Sequence, residues 1–162
     1  MTESDGVDRI IEQWAVERPD LETTAMGVFG RVYRLARLAE IATERAYAAF
    51  GIGRPEFDVL ATLRRAGKPF QLSPGALAAS MMMSSGGTTA RLDRLERAGL
   101  VARSPDPNDR RGVLVNLTDK GRAIADAAVS AGLAEQQRLI AHLSPRQQTD
   151  LSALLGTALN GR

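Results

Sequence analysis

The sequence predicts a mainly α-helical protein that carries one small β-hairpin. Its 162 residues are rich in Ala and Leu and poor in aromatic residues, a composition that favours helices around one core. Apolar residues recur at helical spacing behind Ser, Thr or Asp caps through most of the chain, whereas residues 113–117 alternate apolar and polar positions beside a turn. We therefore expect one domain, residues 1–162, with a hairpin after its fifth helix.

The first two predicted helices cover residues 4–17 and 20–50. The apolar residues of the first share one helical face: Val7, Ile10, Ile11 and Trp14. This helix ends before Pro19, and Asp20 is placed to cap the second helix. Because the second helix has Ala along its apolar stripe, it favours close packing in a dimer.

Three shorter helices follow, each with its own start signal. Pro55 suits the first turn of the third helix, which stops at Gly67. Ser73 and Pro74 begin the fourth helix as N-cap and first helical residue, and Ser84 is expected to cap the fifth. The buried stripe of the fifth helix is Thr88, Leu92 and Leu95. Two such helices joined by a tight turn form a helix-turn-helix.

A hairpin and two further helices complete the chain. The alternating residues of a half-buried strand are Val113, Val115 and Leu117, and residues 105–108 form the turn. Thr118 caps the next helix, and Ser144 with Pro145 begins the last. Residues 54–118 are thus predicted to be a winged helix-turn-helix, and residues 20–50 and 119–160 the dimerisation helices.

Several function classes are not expected. The chain has no Cys, which excludes disulfides and thiolate zinc sites, and its single His142 makes a poor metal site. No nucleophile with a matching base, phosphate-binding loop or paired-carboxylate site is evident. We therefore expect no enzyme, metal or cofactor. No apolar run approaches the roughly 18 residues of a membrane span, so a cytoplasmic protein without a membrane partner is expected.

Basic residues concentrate in one segment although the net charge is only +2. The arginines of this segment are Arg91, Arg94, Arg97, Arg103, Arg110 and Arg111. They fall on the fifth helix and the hairpin, where a winged helix-turn-helix meets duplex DNA. A double-stranded DNA partner is therefore predicted.

The start of the fifth helix is expected to read the major groove. Its small and hydroxyl-bearing residues allow close approach to bases and phosphate: Ser84, Ser85, Gly86, Gly87, Thr88 and Thr89. Arg94 is the expected phosphate contact further along. The predicted hairpin is the wing of the winged helix-turn-helix. There, Arg111 is expected to enter the minor groove with its guanidinium oriented by Asp109, while Arg110 meets phosphate. Alternatively, the glycines relax a crowded turn and the wing charges form a solvated ion pair.

The segment from Gly99 to Gly121 reads GLV-x-R-x-x-D-P-x-D-R-R-G-V-L-V-x-LT-x-x-G and resembles the multiple-antibiotic-resistance regulator (MarR) family of bacterial transcription factors. The resemblance extends over essentially the whole chain, including EFDVLATLRRAG before the DNA-binding helices. It implies a homodimer in which terminal helices dimerise and two modules bind a pseudo-palindromic operator. The Asp-x-Arg pattern of the wing matches at Asp109 and Arg111.

Four further residues suggest a ligand site. Arg103 shares strand parity with the core-facing Val101, so it is expected to point inward, and Arg91 flanks the buried stripe of the fifth helix. Asp58 lies in the first turn of its helix and could pair with either arginine. With Trp14 on the N-terminal helix, Asp58, Arg91 and Arg103 resemble the quartet of the family's urate-responsive branch.

The resemblance implies that an anionic ligand such as urate or a related purine takes an arginine from Asp58, shifts the recognition helix and releases DNA. A phenolic anion would use the same chemistry, and each residue could instead have a structural role. The leading hypothesis is a ligand-responsive repressor. Its alternatives are a winged-helix regulator without a small-molecule response and a helical dimer that uses its wing face for protein contact.

Overall fold

The computed structural model describes residues 4–81 and 87–161. The helices in these ranges are α1 (Gly6–Glu17), α2 (Thr24–Ala48), α3 (Arg54–Arg65), α4 (Pro74–Ser80), α5 (Thr88–Arg97), α6 (Asp119–Ile140) and α7 (Pro145–Asn160). The strands are β1 (Gln71–Leu72), β2 (Val101–Asp106) and β3 (Asp109–Leu117). The chain divides into two compact units, Met1–Ile41 and Ala42–Arg162, with the boundary inside α2. None of the described helices is long and apolar enough to cross a membrane.

In the first unit, α1 starts later than predicted because Asp5 is its N-cap. Asp5 accepts hydrogen bonds from the backbone N–H groups of Val7 and Asp8, and Asp8 in turn accepts from the backbone N–H of Asp5. These hydrogen bonds lower the pKa of both carboxyls. Arg31 of α2 contacts both acids, at 3.0 Å and 2.6 Å. Val7 is buried close to Gly30, where a Cβ would lie 2.9 Å from its Cγ1.

The start of α2 differs from the prediction. Asp20 does not cap it; its carboxylate instead accepts two hydrogen bonds from Arg18, at 2.7 Å and 2.6 Å. The helix begins at Thr24, whose backbone N–H donates to Glu22 at 2.8 Å. Asp20 is too far back along the chain to reach the first free N–H groups, so the nearer acid takes this role.

In the second unit, α3, α4, α5, α6 and the sheet surround one core. Its fully buried aliphatic residues include Val59, Leu60, Leu63, Leu77, Leu95 and Val115. The sheet has the order β1-β3-β2 and is antiparallel throughout. The predicted hairpin is therefore present, and β1 adds a third strand that was not predicted from the sequence. The fold is a mainly α winged helix-turn-helix.

The predicted caps hold for most helices of this unit. Ser73, Thr118 and Ser144 each accept a hydrogen bond from a backbone N–H in the first turn of α4, α6 and α7. The prediction for α5 was wrong: the helix begins at Thr88 with Gly87 as its N-cap, at φ 75°. Ser84 lies outside the described residues. Consecutive glycines disfavour helix, which accounts for the later start.

Candidate nucleic-acid interface and adjoining cavity

The fifth helix presents one face to the core and another to solvent. Leu92 and Leu95 are buried, Thr88 is half-buried, and Thr89 and Arg94 are exposed. The predicted buried stripe is therefore present. Gly87 adopts the left-handed conformation that favours glycine, so backbone geometry alone explains its presence at the helix start.

Three residues predicted to face DNA, Ser84, Ser85 and Gly86, lie outside the described residues. Arg94 forms an ion pair with Glu56 of α3, with Arg94 Nη2 lying 2.8 Å from Glu56 Oε1. The Arg94 side chain is 59% exposed, whereas that of Glu56 is 14% exposed. Arg94 thus remains accessible to solvent, whereas the Glu56 carboxylate lies between Arg94 and the interior of the unit. Glu56 was not predicted as a site residue, because its contact joins residues 38 positions apart in the chain.

The wing tip is tighter than predicted. β2 and β3 pair as far as Asp106 and Asp109, which leaves a turn of two residues, 107 and 108. Asp109 accepts a hydrogen bond from the backbone N–H of Arg111 at 2.9 Å, not from its guanidinium as predicted, because a carboxylate readily closes a turn two residues along. Arg111 is exposed, and the side chain of Arg110 lies outside the described part of the chain.

A glycine permits this tip. A Cβ on Gly112 would lie 2.9 Å from the Cβ of Asp106 and 3.0 Å from the Cβ of Asp109, closer than side-chain atoms normally approach. Val113, predicted to be part of the half-buried strand, is 41% exposed, whereas Val115 is fully buried. The strand alternates as predicted, but Val113 lies too near the tip to reach the core.

Arg103 is not directed into the core as predicted; it connects the wing to α5. Its guanidinium pairs with Asp93 at 2.6 Å and with Glu96, and its backbone N–H donates to Glu96 at 3.1 Å. The hydrogen bond to Asp93 raises the pKa of Arg103 above its ordinary value. Val101 on the same side of β2 is buried, but Arg103 lies farther along the strand, where the α5 carboxylates receive it.

A cavity of about 290 Å³ adjoins α3 and α6 in the same unit. Asp58 lies on its wall, only 7% exposed, and pairs with Arg54 at 3.2 Å. The expected pairing of Asp58 with Arg91 or Arg103 is not what the structure shows, because Arg54 stands one helical turn before Asp58 on the same face. Arg65 also lines the cavity and donates to Ser80 O. The i,i+4 spacing of Arg54 and Asp58 in the sequence already favours this pair.

Aromatic rings form one side of the cavity. Tyr47 stacks on Phe57 with ring centroids 4.1 Å apart and planes 11° apart. Burial raises the pKa of the Tyr47 hydroxyl. A Cβ on Gly132 of α6 would lie 2.5 Å from that hydroxyl oxygen, so only glycine leaves room for the ring here. The cavity therefore combines flat apolar surface with two cations and one carboxylate.

The remaining predicted ligand residues are placed separately. Arg91 is half-buried, as expected. Trp14 lies on α1 in the first unit and is 41% exposed, although its spacing places it on the apolar face of that helix. Its neighbours Val7 and Ile11 on the same apolar face are more deeply buried.

Comparison with known proteins identifies the family. The sequence pattern described as "MarR family" matches residues 50–112. The HTH-type transcriptional regulator PecS of Dickeya dadantii is 38% identical over 150 residues, which cover 93% of this chain and 90% of that protein. A MarR variant of E. coli, solved in complex with operator DNA, has a TM-score of 0.71 at 27% identity and covers 96% of this chain and 99% of its own.

A third protein bears on ligand response. Bordetella bronchiseptica BpsR, solved in work on regulation of its DNA binding by 6-hydroxynicotinic acid, has a TM-score of 0.71 at 25% identity, covering 82% of this chain and 93% of its own. These proteins are regulators and not enzymes, and the two solved structures share the overall fold of this chain. This chain therefore belongs to the MarR family of DNA-binding transcriptional regulators.

Proposed function

We propose that the protein is a homodimeric repressor that binds a pseudo-palindromic operator and releases it when a small anionic aromatic compound, urate or a related purine, binds. The observation that carries the ligand response is the buried Asp58 carboxylate, paired with Arg54 on the wall of a cavity that also has aromatic surface. A second anion in this cavity competes with Asp58 for the same guanidinium.

DNA recognition is assigned to α5 and the wing. Arg94 holds phosphate and Arg111 enters the minor groove, and both are exposed as these roles require. The residues around the helix start contact base edges or phosphate in the major groove, or allow the backbone to approach them closely: Ser84, Ser85, Gly86, Gly87, Thr88 and Thr89. Asp109 closes the wing turn and Arg110 meets backbone phosphate. The alternative, a solvated ion pair in a surface turn, does not account for the position of these arginines beside the recognition helix.

Dimerisation is supported by unpartnered apolar surface on α7. No α7 residue is buried within the described chain, and three of its leucines are exposed: Leu154, Leu155 and Leu159. An amphipathic helix that buries nothing in its own chain is typical of a subunit interface. Two modules related by a two-fold axis would then meet half-sites about one helical turn, roughly 34–36 Å, apart.

The ligand is proposed to act through charge competition. The cavity volume of about 290 Å³ is at the lower end of small-molecule sites, which suits a molecule of one or two rings. When the ligand takes Arg54, Asp58 is left as a buried charge without its partner, which is costly and favours a rearrangement of α3. Arg91 on α5 and Arg103 between α5 and the wing transmit that rearrangement.

The proposal is tested by fluorescence anisotropy on labelled DNA from upstream of the protein's own gene, with urate, xanthine and salicylate added separately. Urate or xanthine is expected to release the DNA, and release by salicylate alone would assign a phenolic ligand instead. Arg54→Ala leaves Asp58 unpaired, as the ligand is proposed to do, so it should weaken operator binding without ligand and abolish the further response to ligand. Arg64→Ala, which removes the α3 arginine paired with Asp126 outside the cavity, is the matched control and should retain it.

If no added compound releases DNA and none quenches Trp14 fluorescence, the response to a purine or a phenolic anion is refuted, and a winged-helix regulator acting by occupancy alone is favoured. Replacing Arg91 or Arg103 by Ala tests the two transmitting residues separately. Unchanged release in either variant removes that residue's assigned role. A monomer in multi-angle light scattering would contradict the dimer.

A further inference from the structure

The ion pair between Glu56 and Arg94 places a carboxylate directly under an arginine of the recognition helix. Arg94 Nη2 is 2.8 Å from Glu56 Oε1, yet this buried oxygen accepts no hydrogen bond from the described part of the chain. The contact is therefore an attraction between charges with poor hydrogen-bond geometry. An arginine held in this way is easily transferred to another anion, because it gives up no well-directed hydrogen bond.

The other oxygen of the same carboxylate has a separate role. Glu56 Oε2 accepts from the backbone N–H of Gly53 at 3.2 Å, which anchors the side chain at the start of α3. Glu56 is thus held in place by its own helix, while Arg94 is the solvent-exposed partner, with a side chain that is 59% exposed. The charge under Arg94 stays where it is when Arg94 moves.

Glu56 and Asp58 also connect two regions of the unit. They are two residues apart on α3, a spacing that points side chains to nearly opposite faces of a helix. Asp58 faces the cavity and Glu56 contacts α5. The first turns of α3 therefore lie between the proposed ligand cavity and the proposed phosphate contact.

We propose that Glu56 is an intramolecular competitor of DNA phosphate for Arg94 and thereby limits the operator affinity of the protein. Without DNA, Arg94 rests on the Glu56 carboxylate; on binding, the guanidinium transfers to a phosphate oxygen and leaves the acid beneath it. Both the broken ion pair and the acid that remains near phosphate weaken the complex. This inference rests on the proposed contact of Arg94 with phosphate.

The test measures operator affinity across a range of salt concentrations for the wild type, Glu56→Gln, Arg94→Ala and the double variant. Gln keeps an oxygen that can accept from the Gly53 N–H, so Glu56→Gln removes the charge while retaining the helix anchor. It is expected to tighten binding about three- to fivefold, as for loss of a partly exposed ion pair in competition with phosphate. Arg94→Ala should weaken binding and reduce the slope of log affinity against log salt by about 0.9.

The double variant distinguishes competition from a general charge effect. If Glu56 acts through Arg94, Glu56→Gln should have little effect in the Arg94→Ala background. Asp126→Asn is the matched control, since it neutralises an acid paired with Arg64 of the same helix α3. It should change affinity much less than Glu56→Gln.

Two results overturn the proposal: weaker or unchanged binding by Glu56→Gln, or equal tightening with and without Arg94. Wild-type affinity of Arg94→Ala would instead refute the phosphate contact on which the proposal rests. Circular dichroism checks folding, and Glu56→Asp is the second variant. It keeps the charge but withdraws the carboxylate by one methylene, so a smaller increase in affinity is expected; a decrease would also contradict competition.

Discussion

Gly121 in the first turn of α6 offers a sharp test of the packing at the base of the wing. A Cβ at this position would lie 1.9 Å from the carbonyl oxygen of Leu100 and 2.9 Å from the Leu117 Cδ1. Real Cβ contacts are essentially never below 3.0 Å, so Gly121→Ala forces the two backbones apart by at least 3.0 − 1.9 = 1.1 Å. The obstacle is a backbone atom and cannot rotate away.

Overpacking costs typically 1–3 kcal/mol, and a backbone obstacle places this variant at about 3 kcal/mol or more. For a chain of this size the loss corresponds to a fall in Tm of about 6–12 °C. The same movement disturbs Thr118, whose hydroxyl donates to the Gly99 carbonyl at 2.8 Å beside the start of β2. Operator affinity should therefore fall together with stability.

Urea and thermal unfolding at fixed protein concentration measure this effect. Gly75→Ala is the control, because a Cβ on this α4 residue meets nothing within 4 Å. Ala in a helix is favoured over Gly, so the control should gain about 0.5–1 kcal/mol. A free energy of unfolding for Gly121→Ala equal to that of the wild type would refute the close contact between α6 and Leu100.

Three further predictions follow from local contacts. Arg103→Ala should weaken operator binding about three- to tenfold while lowering the free energy of unfolding by less than about 1 kcal/mol, since partly exposed ion pairs contribute little to stability; wild-type affinity would show that the wing needs no link to α5. Gly112→Ala should weaken DNA binding without altering the circular dichroism spectrum, because its Cβ would meet Asp106 at the wing tip; unchanged affinity would contradict this geometry. Backbone hydrogen bonds lower the pKa of Asp5 below 3.8, so its stabilisation of α1 is present above the unfolded-state pKa and is lost as the pH falls through the lower folded-state pKa. NMR shifts of α1 should therefore lose helical character only at pH values below the ordinary Asp pKa of 3.8, and the loss should be smaller in Asp5→Asn; an equal loss in Asp5→Asn would argue against this cap.

Helix starts were predictable where the capping residue is followed directly by proline or by an acidic residue in the first helical turn. Ser73, Thr118 and Ser144 act as predicted because capping involves atoms within three residues of each other. The same reasoning failed at Asp20 and at the start of α5. There, a nearer acid and an adjacent glycine competed for the role, and local spacing alone does not rank such competitors.

The contacts of the candidate site could be predicted from the sequence only in part. The arginine-rich character of α5 and the wing was evident from the sequence, and the exposure of Arg94 and Arg111 agrees with it. The partners of these arginines were not evident. Strand parity placed Arg103 on the core side of β2, but parity does not indicate how far along the strand the core extends. Arg103 lies beyond the core, where it pairs with Asp93 and Glu96 of α5.

Local periodicity and capping chemistry are thus sufficient to derive the helices, the hairpin and the basic character of the DNA-facing segment, because each depends on residues close together in the chain. Ion-pair choice is different, since several arginines and acids of similar chemistry compete and distance in space decides among them. Only the packing of α3 against α5 assigns Arg94 to Glu56, and only the packing of α3 against α6 places a cavity beside Asp58.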